Sequence, residues 1–171
     1  MTTDFREIQR FDQNWLWGLL ILSLMVLIGL FGYGLYQQLI LDQPWGDRPI
    51  SDQALVLVSV GLSLFIGSMI YLFRILRLEI EVGTEGIYVR FYPLRSNTIP
   101  YQKVKSCEAR RYKPLGEYGG WGIKYGRSGW AYNVRGDWGV QLVLTDGKRI
   151  LLGSQRADVL ASEIKRHCHR G

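Results

Sequence analysis

The chain has 171 residues, 47% of them hydrophobic, and a formal net charge of +6, but neither the apolar residues nor the charges are evenly spread. Two cysteines exclude a disulfide framework, and two histidines, both at the chain end, exclude a closed metal centre of the usual four ligands. No cofactor is expected.

Residues 1–14 begin the chain without the marks of a cleaved leader. Arg6 and Arg10 are offset by Asp4, Glu7 and Asp12, and no small-x-small cleavage site follows. They read as a short cytoplasmic segment. Residues 15–36 and 54–73 then form two stretches, of 22 and 20 residues, that contain no charged side chain. At about 1.5 Å per helical residue each crosses a hydrocarbon core of about 30 Å. Backbone amides in lipid must be satisfied within the segment, so each stretch is expected to be a helix.

The intervening loop, 37–53, holds one arginine, Arg48, against Asp42, Asp47 and Asp52, whereas Arg74 and Arg77 follow the second stretch directly. By the positive-inside bias the loop lies outside and both termini are cytoplasmic, which makes the chain an integral protein of a plasma or internal membrane. Trp15, Trp17 and Trp45, with Arg74 and Arg77, read as anchors at the membrane interface, and Tyr36 and Tyr71 sit similarly. The spans carry no aspartate, glutamate, lysine, arginine or histidine, which argues against a transporter or channel. Ser59, Ser63 and Gly67 recur at intervals of four along the second span, and Gly29 and Gly32 lie on the first. Such small faces pack either within the hairpin or against another membrane protein.

Residues 74–171 hold 18 of the 21 lysines and arginines against nine acids. A domain so charged beside an anionic leaflet is drawn to lipid, and this explains the charge more simply than nucleic acid, which is not expected as a partner. The hydrophobic period changes at Arg74. Leu76, Leu78, Ile80 and Val82 alternate with polar residues, Gly83-Thr84-Glu85-Gly86 supplies a turn, and Ile87, Val89 and Phe91 form the returning strand that Pro93 ends. Thr98-Ile99 is a short third strand, 104–112 a fourth with Cys107 and Ala109 inward, and Trp121, Ile123 and Tyr125 a fifth. Residues 138–144 and 149–152 flank Asp146-Gly147, a strong hairpin signal. Ser154 is placed to cap a final helix whose buried stripe is Ala157, Leu160, Ala161, Ile164 and Cys168.

The segment Asn97-Thr98-Ile99-Pro100-Tyr101-Gln102-Lys103-Val104 and the ending Lys148-Arg149-Ile150-Leu151-Leu152-Gly153-Ser154-Gln155 before a helix resemble bacterial pleckstrin-homology-like domains. Tyr118-Gly119-Gly120-Trp121-Gly122-Ile123 and Gly139-Val140-Gln141 are similar to an uncharacterised group of small two-span membrane proteins that carry such domains. The resemblance implies an α+β chain: a two-helix transmembrane hairpin, then a partly open, seven-stranded antiparallel barrel capped by a C-terminal helix. It also implies a binding or scaffolding module, and it transfers no catalytic residue and no headgroup pocket to named positions.

His167, Cys168 and His169 offer only a partial metal set, and no carboxylate stands near them in sequence. Gly126-Arg127-Ser128-Gly129 fits neither a phosphate loop nor a dinucleotide fingerprint. The glycines around it serve turns, bulges and close ring packing. The sharper feature of that region is an interleaving of Arg110, Arg111, Lys113, Lys124, Arg127 and Arg135 with Tyr112, Tyr118, Trp121, Tyr125, Trp130 and Tyr132. Cationic forks among aromatic rings suit a partner surface or anionic headgroups.

The expected function is that of a membrane-anchored, non-enzymatic scaffold or assembly factor that binds another membrane protein or complex. The alternative is a module responding to anionic lipid. An enzyme, the third reading, would need a pocket of converging titratable groups, and no small-molecule substrate is inferred.

Overall fold

The computed structural model describes residues 3–126 and 128–168. The chain divides into two compact units, one formed by the segment up to Phe11 together with the chain from Ile75 onward, the other by Asp12–Arg74.

The Asp12–Arg74 unit contains α1 (Asn14–Leu35), a π-helical turn (Tyr36–Ile40) that prolongs it, and α2 (Asp52–Ile75). Leucine, isoleucine and valine predominate, and two of the serines bond back to the helix: Ser23 Oγ donates to the Leu19 carbonyl at 2.8 Å and Ser59 Oγ to that of Leu55 at 2.6 Å. No polar group of these serines is left to seek water. Both helices are long and apolar enough to cross a membrane. Their apolar side chains stay uncovered, with Leu57 72% and Leu64 68% exposed, unlike those of a core helix.

Trp45 folds back onto α1, where a Cβ at Gly34 would stand 2.7 Å from its ring. The same ring lies 5.9 Å from that of Phe31. A Cβ added at Gly29, Gly32 or Gly67 would meet nothing within 4 Å, so these small residues do not bring the two helices into close contact.

The other unit is built on two sheets. In the first, β1 (Thr3–Arg10), β2 (Arg77–Gly83), β3 (Gly86–Tyr92) and β4 (Arg95–Ile99) pair antiparallel in that order. Its inner face carries Phe5, Leu78, Ile80, Val82, Ile87, Val89 and Phe91, all buried. The second sheet contains β5 (Val104–Arg111), β6 (Gly122–Gly126), β7 (Gly129–Asn133), β8 (Trp138–Leu144) and β9 (Arg149–Gly153), in the order β5-β8-β9-β7-β6. A short helix, α3 (Pro114–Tyr118), sits between β5 and β6, and α4 (Ala157–Cys168) buries Ala157, Leu160, Ala161 and Ile164.

The α+β class, the 84–85 and Asp146-Gly147 turns and the final helix follow the sequence reading. The seven-stranded antiparallel barrel does not. Among the described residues there are nine strands in two sheets, β7 runs parallel to β9, and no ladder joins the sheets into a closed barrel. The two unforeseen strands have physical reasons. The buried face of β1 is Phe5, Glu7 and Gln9, which breaks apolar alternation. At the start of β7, Gly129 (φ 94°) passes so close to the backbone of Arg149 that a side chain is excluded, and its glycine resembles a loop in sequence.

The buried polar face of β1 is what fastens it. The Glu7 carboxylate accepts from the Ser154 hydroxyl and, at 2.9 Å, from the Gln155 amide. Ser154 Oγ accepts from the Arg156 amide at 3.0 Å, the capping bond that the sequence places at Ser154. A carboxylate is thereby held at the amino end of α4, where the helix dipole favours it. Gln9 Nε2 donates to the Gly153 carbonyl at 2.7 Å, and Arg156 donates to the Arg6 carbonyl at 2.6 Å while lying 4.6 Å above the Phe5 ring. Replacing Glu7 by alanine strands two donors and is expected to cost about 2 kcal/mol. Arg6→Ala, which removes an exposed pair with Glu81, is expected to cost under about 1 kcal/mol. Thermal unfolding of the full chain in mild detergent, followed by near-UV circular dichroism, compares them; equal midpoints would show that the carboxylate holds nothing.

Candidate functional site

The segment after β5 is organised by one carboxylate. Pro114 starts α3 with its fixed φ, and Gly119 ends it in the left-handed region (φ 72°), with its amide donating to the Leu115 carbonyl at 3.0 Å. From the last turn, Glu117 reaches back to accept from the Lys113 amide at 2.8 Å. It also takes Arg110 in a fork, Nη1 to Oε1 at 3.2 Å and Nη2 to Oε2 at 2.7 Å. Arg110 donates further to Gln141 Oε1, from Nε at 3.2 Å and Nη2 at 3.0 Å. The bond to Arg110 holds the Glu117 carboxyl below its ordinary value, and the same bond raises Arg110. Arg110 is thus committed to the fold.

Tyr112 and Tyr118 are internal as well. With Ala131 and Leu151 they form a buried cluster, their rings edge to face at 6.0 Å. The Tyr112 hydroxyl accepts from Asn133 Nδ2 at 3.1 Å. Burial pushes its phenol up to about 12, against a smaller opposing effect of the Asn133 bond. Burial also raises Tyr118.

Around this supported core lies an open groove of about 650 Å³, lined by Arg111, Lys113, Leu115, Glu117, Trp121 and Asp137 among others. Arg111 Nε lies 2.6 Å from Asp137 Oδ2, and the Trp121 indole donates to the Gly136 carbonyl at 3.0 Å. Lys113 is exposed, and Leu115 is 70% exposed. A second hollow, of about 470 Å³, is lined by Tyr125, Trp130, Lys148 and Arg149. Tyr125 stands opposite Trp130 across the β6–β7 ladder with ring centroids 5.2 Å apart, and the Arg95 guanidinium lies 5.1 Å over the Trp130 ring.

Of the residues singled out in sequence, Arg111, Tyr112, Lys113 and Trp121 therefore meet at the groove, and Tyr125 and Trp130 meet at the hollow. Lys124 and Arg135 are half-buried elsewhere, and Arg127 lies outside the described residues. Of the expected anchors, Trp15 is exposed near the start of α1, Trp17 is half-buried, Trp45 packs on Gly34, and Arg74 is exposed in the last turn of α2. Arg77 lies 2.6 Å from Glu79.

Leu115, Glu117, Asp137 and Arg95 were missed. Only Pro114 and Glu117, spaced as the two ends of one helical turn, carried a local signal. His167, which had no carboxylate near it in sequence, has one in space: Nε2 lies 2.7 Å from Asp4 Oδ2 and the ring stacks on Tyr101 at 5.0 Å. This joins β1 to α4. His169 lies outside the described residues. Among the described residues no group of three histidine, cysteine, aspartate or glutamate side chains is placed to hold a metal.

These features define an α+β protein in which two long apolar helices are inserted in the chain between two strands that pair with each other, with an open, partly basic groove beside a short helix. The chain belongs to a family of unknown function, DUF6141, whose sequence profile matches residues 2–167. Neither a curated protein nor a solved structure matches it.

The raised phenol gives a test of the internal assignment. Tyr112 favours its neutral form in the folded state, so its contribution is fully present below its ordinary value of 10 and is lost as pH rises toward about 12. Tyr112→Phe is expected to cost about 1 kcal/mol at pH 7 through loss of the Asn133 bond. It should also remove part of the alkaline destabilisation between those two values. Unfolding midpoints at pH 7 and pH 11 would expose the opposite case, a variant that tracks the parent at both.

Proposed function

We propose that this protein is an integral membrane, non-enzymatic scaffold or assembly factor that docks a cytoplasmic segment of a partner membrane protein in the groove beside α3. The observation that carries the reading is the antiparallel pairing of β1 with β2. Strand β1 ends at Arg10, four residues before α1 begins, and β2 starts at Arg77, two residues after α2 ends. Paired strands lie about 5 Å apart, so the chain departs and returns at neighbouring points. Two spans between such points go out and back, and both their ends belong to one side. Arg74 and Arg77, set against the aspartates of the connecting loop, support the cytoplasm as that side.

The finer fold reading is a pleckstrin-homology-like module with the spans inserted after its first strand and the C-terminal helix retained. The groove supports binding in preference to chemistry. Arg111 and Asp137 satisfy each other, Lys113 offers a cation, and Leu115 and Trp121 offer apolar contact. That combination fits a segment presenting a carboxylate beside an aliphatic or aromatic side chain. It offers no nucleophile with a base.

A photo-reactive phenylalanine derivative placed at Leu115 in native membranes is expected to form discrete adducts with an integral membrane protein. The same group at Glu108, exposed on β5, should not. Lys113→Glu should reduce the Leu115 adduct at least fivefold, the effect of about 1 kcal/mol at a partly exposed pair. Matching adduct patterns at the two positions, or adducts indifferent to Lys113→Glu, would dispose of the groove as the docking site.

A further inference from the structure

The ladder register of the first sheet gathers arginines at the end from which the chain leaves for both apolar helices. Arg10 stands opposite Arg77, and Arg77 opposite Tyr92; in the next row on the same face Ile8, Glu79 and Arg90 stand in line. Arg77 Nε lies 2.6 Å from Glu79 Oε1, and Arg90 Nη1 lies 3.9 Å from Glu79 Oε2. Both guanidinium groups sit over the Tyr92 ring, at 4.7 and 4.8 Å from its centroid. Arg10 is exposed and has no ion pair among the described residues. Two guanidinium groups thus share one carboxylate, that of Glu79, itself 5% exposed, and Arg10 stands beside them on the ladder opposite Arg77.

Like charges directly opposed on a ladder destabilise it, so the Arg10–Arg77 pair is a position where a bound anion would relieve an existing repulsion. Guanidinium forks match phosphate oxygens two at a time, and stacking on Tyr92 fixes two of the forks in advance. The turn that follows Tyr92 leaves Leu94 60% exposed, an apolar side chain two residues beyond the cationic row. We propose that Arg10, Arg77 and Arg90 bind the phosphate of an anionic phospholipid headgroup, with Leu94 entering the interface beside it.

The source is lipid because of where the row lies in the chain, and this rests on the reading that α1 and α2 span a bilayer. Arg77 is two residues past α2, hence within about 7 Å of its end. The headgroup layer on each side of the hydrocarbon core is about 5 to 7 Å deep.

The test uses the full-length protein in nanodiscs of equal phosphatidylcholine and phosphatidylglycerol, with native mass spectrometry counting the lipids retained. Wild type is expected to keep phosphatidylglycerol preferentially. Arg10→Gln with Arg90→Gln leaves the Arg77–Glu79 contact in place and should lower the retained ratio about twenty-fivefold, at about fivefold for each arginine near an anionic surface. Arg10→Lys with Arg90→Lys, which keeps charge and loses the forks, should fall between. A folded double glutamine variant that retains phosphatidylglycerol as wild type does would overturn the site. If that variant melts early, Arg10→Gln alone decides, with about a fivefold loss expected and an unchanged ratio counting against the proposal. Millimolar inorganic phosphate that raises the melting midpoint in pure phosphatidylcholine discs as much as phosphatidylglycerol does would overturn the lipid as source. Alkaline carbonate separates the two levels of failure. A chain freed by it is not membrane-spanning and both readings fall, whereas a chain that stays while the lipid ratio is unchanged loses only the site.

Discussion

A strand made from residues that precede two apolar helices has to find its neighbour among residues that follow them, and in this chain β1 does so along its whole length against β2. The pairing closes a loop over both helices, so the first sheet cannot be completed until α2 and β2 exist. Nonlocal closure of this kind is slow and entropically costly, and something must hold the strand once it has arrived. Hydrophobic burial supplies little, since Phe5 is the main buried apolar side chain of β1. Polar groups supply the rest: Glu7 to Ser154 and Gln155, Gln9 to Gly153, the Arg6 carbonyl to Arg156, and Asp4 to His167. Every one of these reaches the last strand, the final helix or the turn between them. Residues 4–9 are therefore tied to residues 153–167, from the two sides of the helical pair in the chain.

Charge behaves differently from what its total implies. Eighteen basic residues after residue 73 resemble a continuous cationic surface in the sequence. In the fold many are spent on local pairs: Arg77 with Glu79, Arg110 with Glu117, Arg111 with Asp137, Lys148 with Asp146 and Arg166 with Glu163. The exposed pairs add little stability. The half-buried Arg110 fork, hydrogen-bonded on several sides, is the one that shapes its surroundings by fixing α3 against β5 and β8. The places where a cation stands beside an aromatic or exposed apolar side chain are local: Lys113 at the groove, Arg95 over Trp130, and the arginine row at the end of the first sheet, while Lys103, Lys105, Arg149 and Lys165 are also exposed.

The parts of this fold that were legible in sequence are those whose neighbours in space are neighbours in the chain. The β2–β3 hairpin, the Asp146-Gly147 turn and the buried stripe of α4 each carry their own period and their own punctuation. Strand β1 was hidden because its inward face is Phe5, Glu7 and Gln9, a pattern that makes sense only with Ser154 and Gly153 beside it. In sequence Tyr112 and Tyr118 stand among aromatics of which some are exposed, and position alone does not tell a ring that fills a core from one that meets a partner. Asp4 and His167 are 163 residues apart, and nothing local to either names the other. Nonlocal polar contacts account for most of what the periodicity of the chain did not carry.

The groove is modest for a docking site, with one free cation among the described residues, an exposed leucine and a half-buried indole, and in free solution such a set supports only weak binding. Attachment at two points changes that requirement. With the folded unit held at the bilayer as proposed, a partner in the same membrane meets it in a thin layer and not in the whole volume of the cell. Confinement of that kind raises the effective concentration toward the millimolar range, where a weak site is largely filled. The same confinement makes orientation matter more than affinity, because a groove turned toward the lipid or away from the partner would bind nothing. A headgroup held on the arginine row would then act on the groove without touching it, by restricting the tilt of the sheet from which both helices depart. In such a protein the first sheet would set the attitude of the body and the second would carry the contact, with the Glu7 clasp tying β1 to the turn that follows β9.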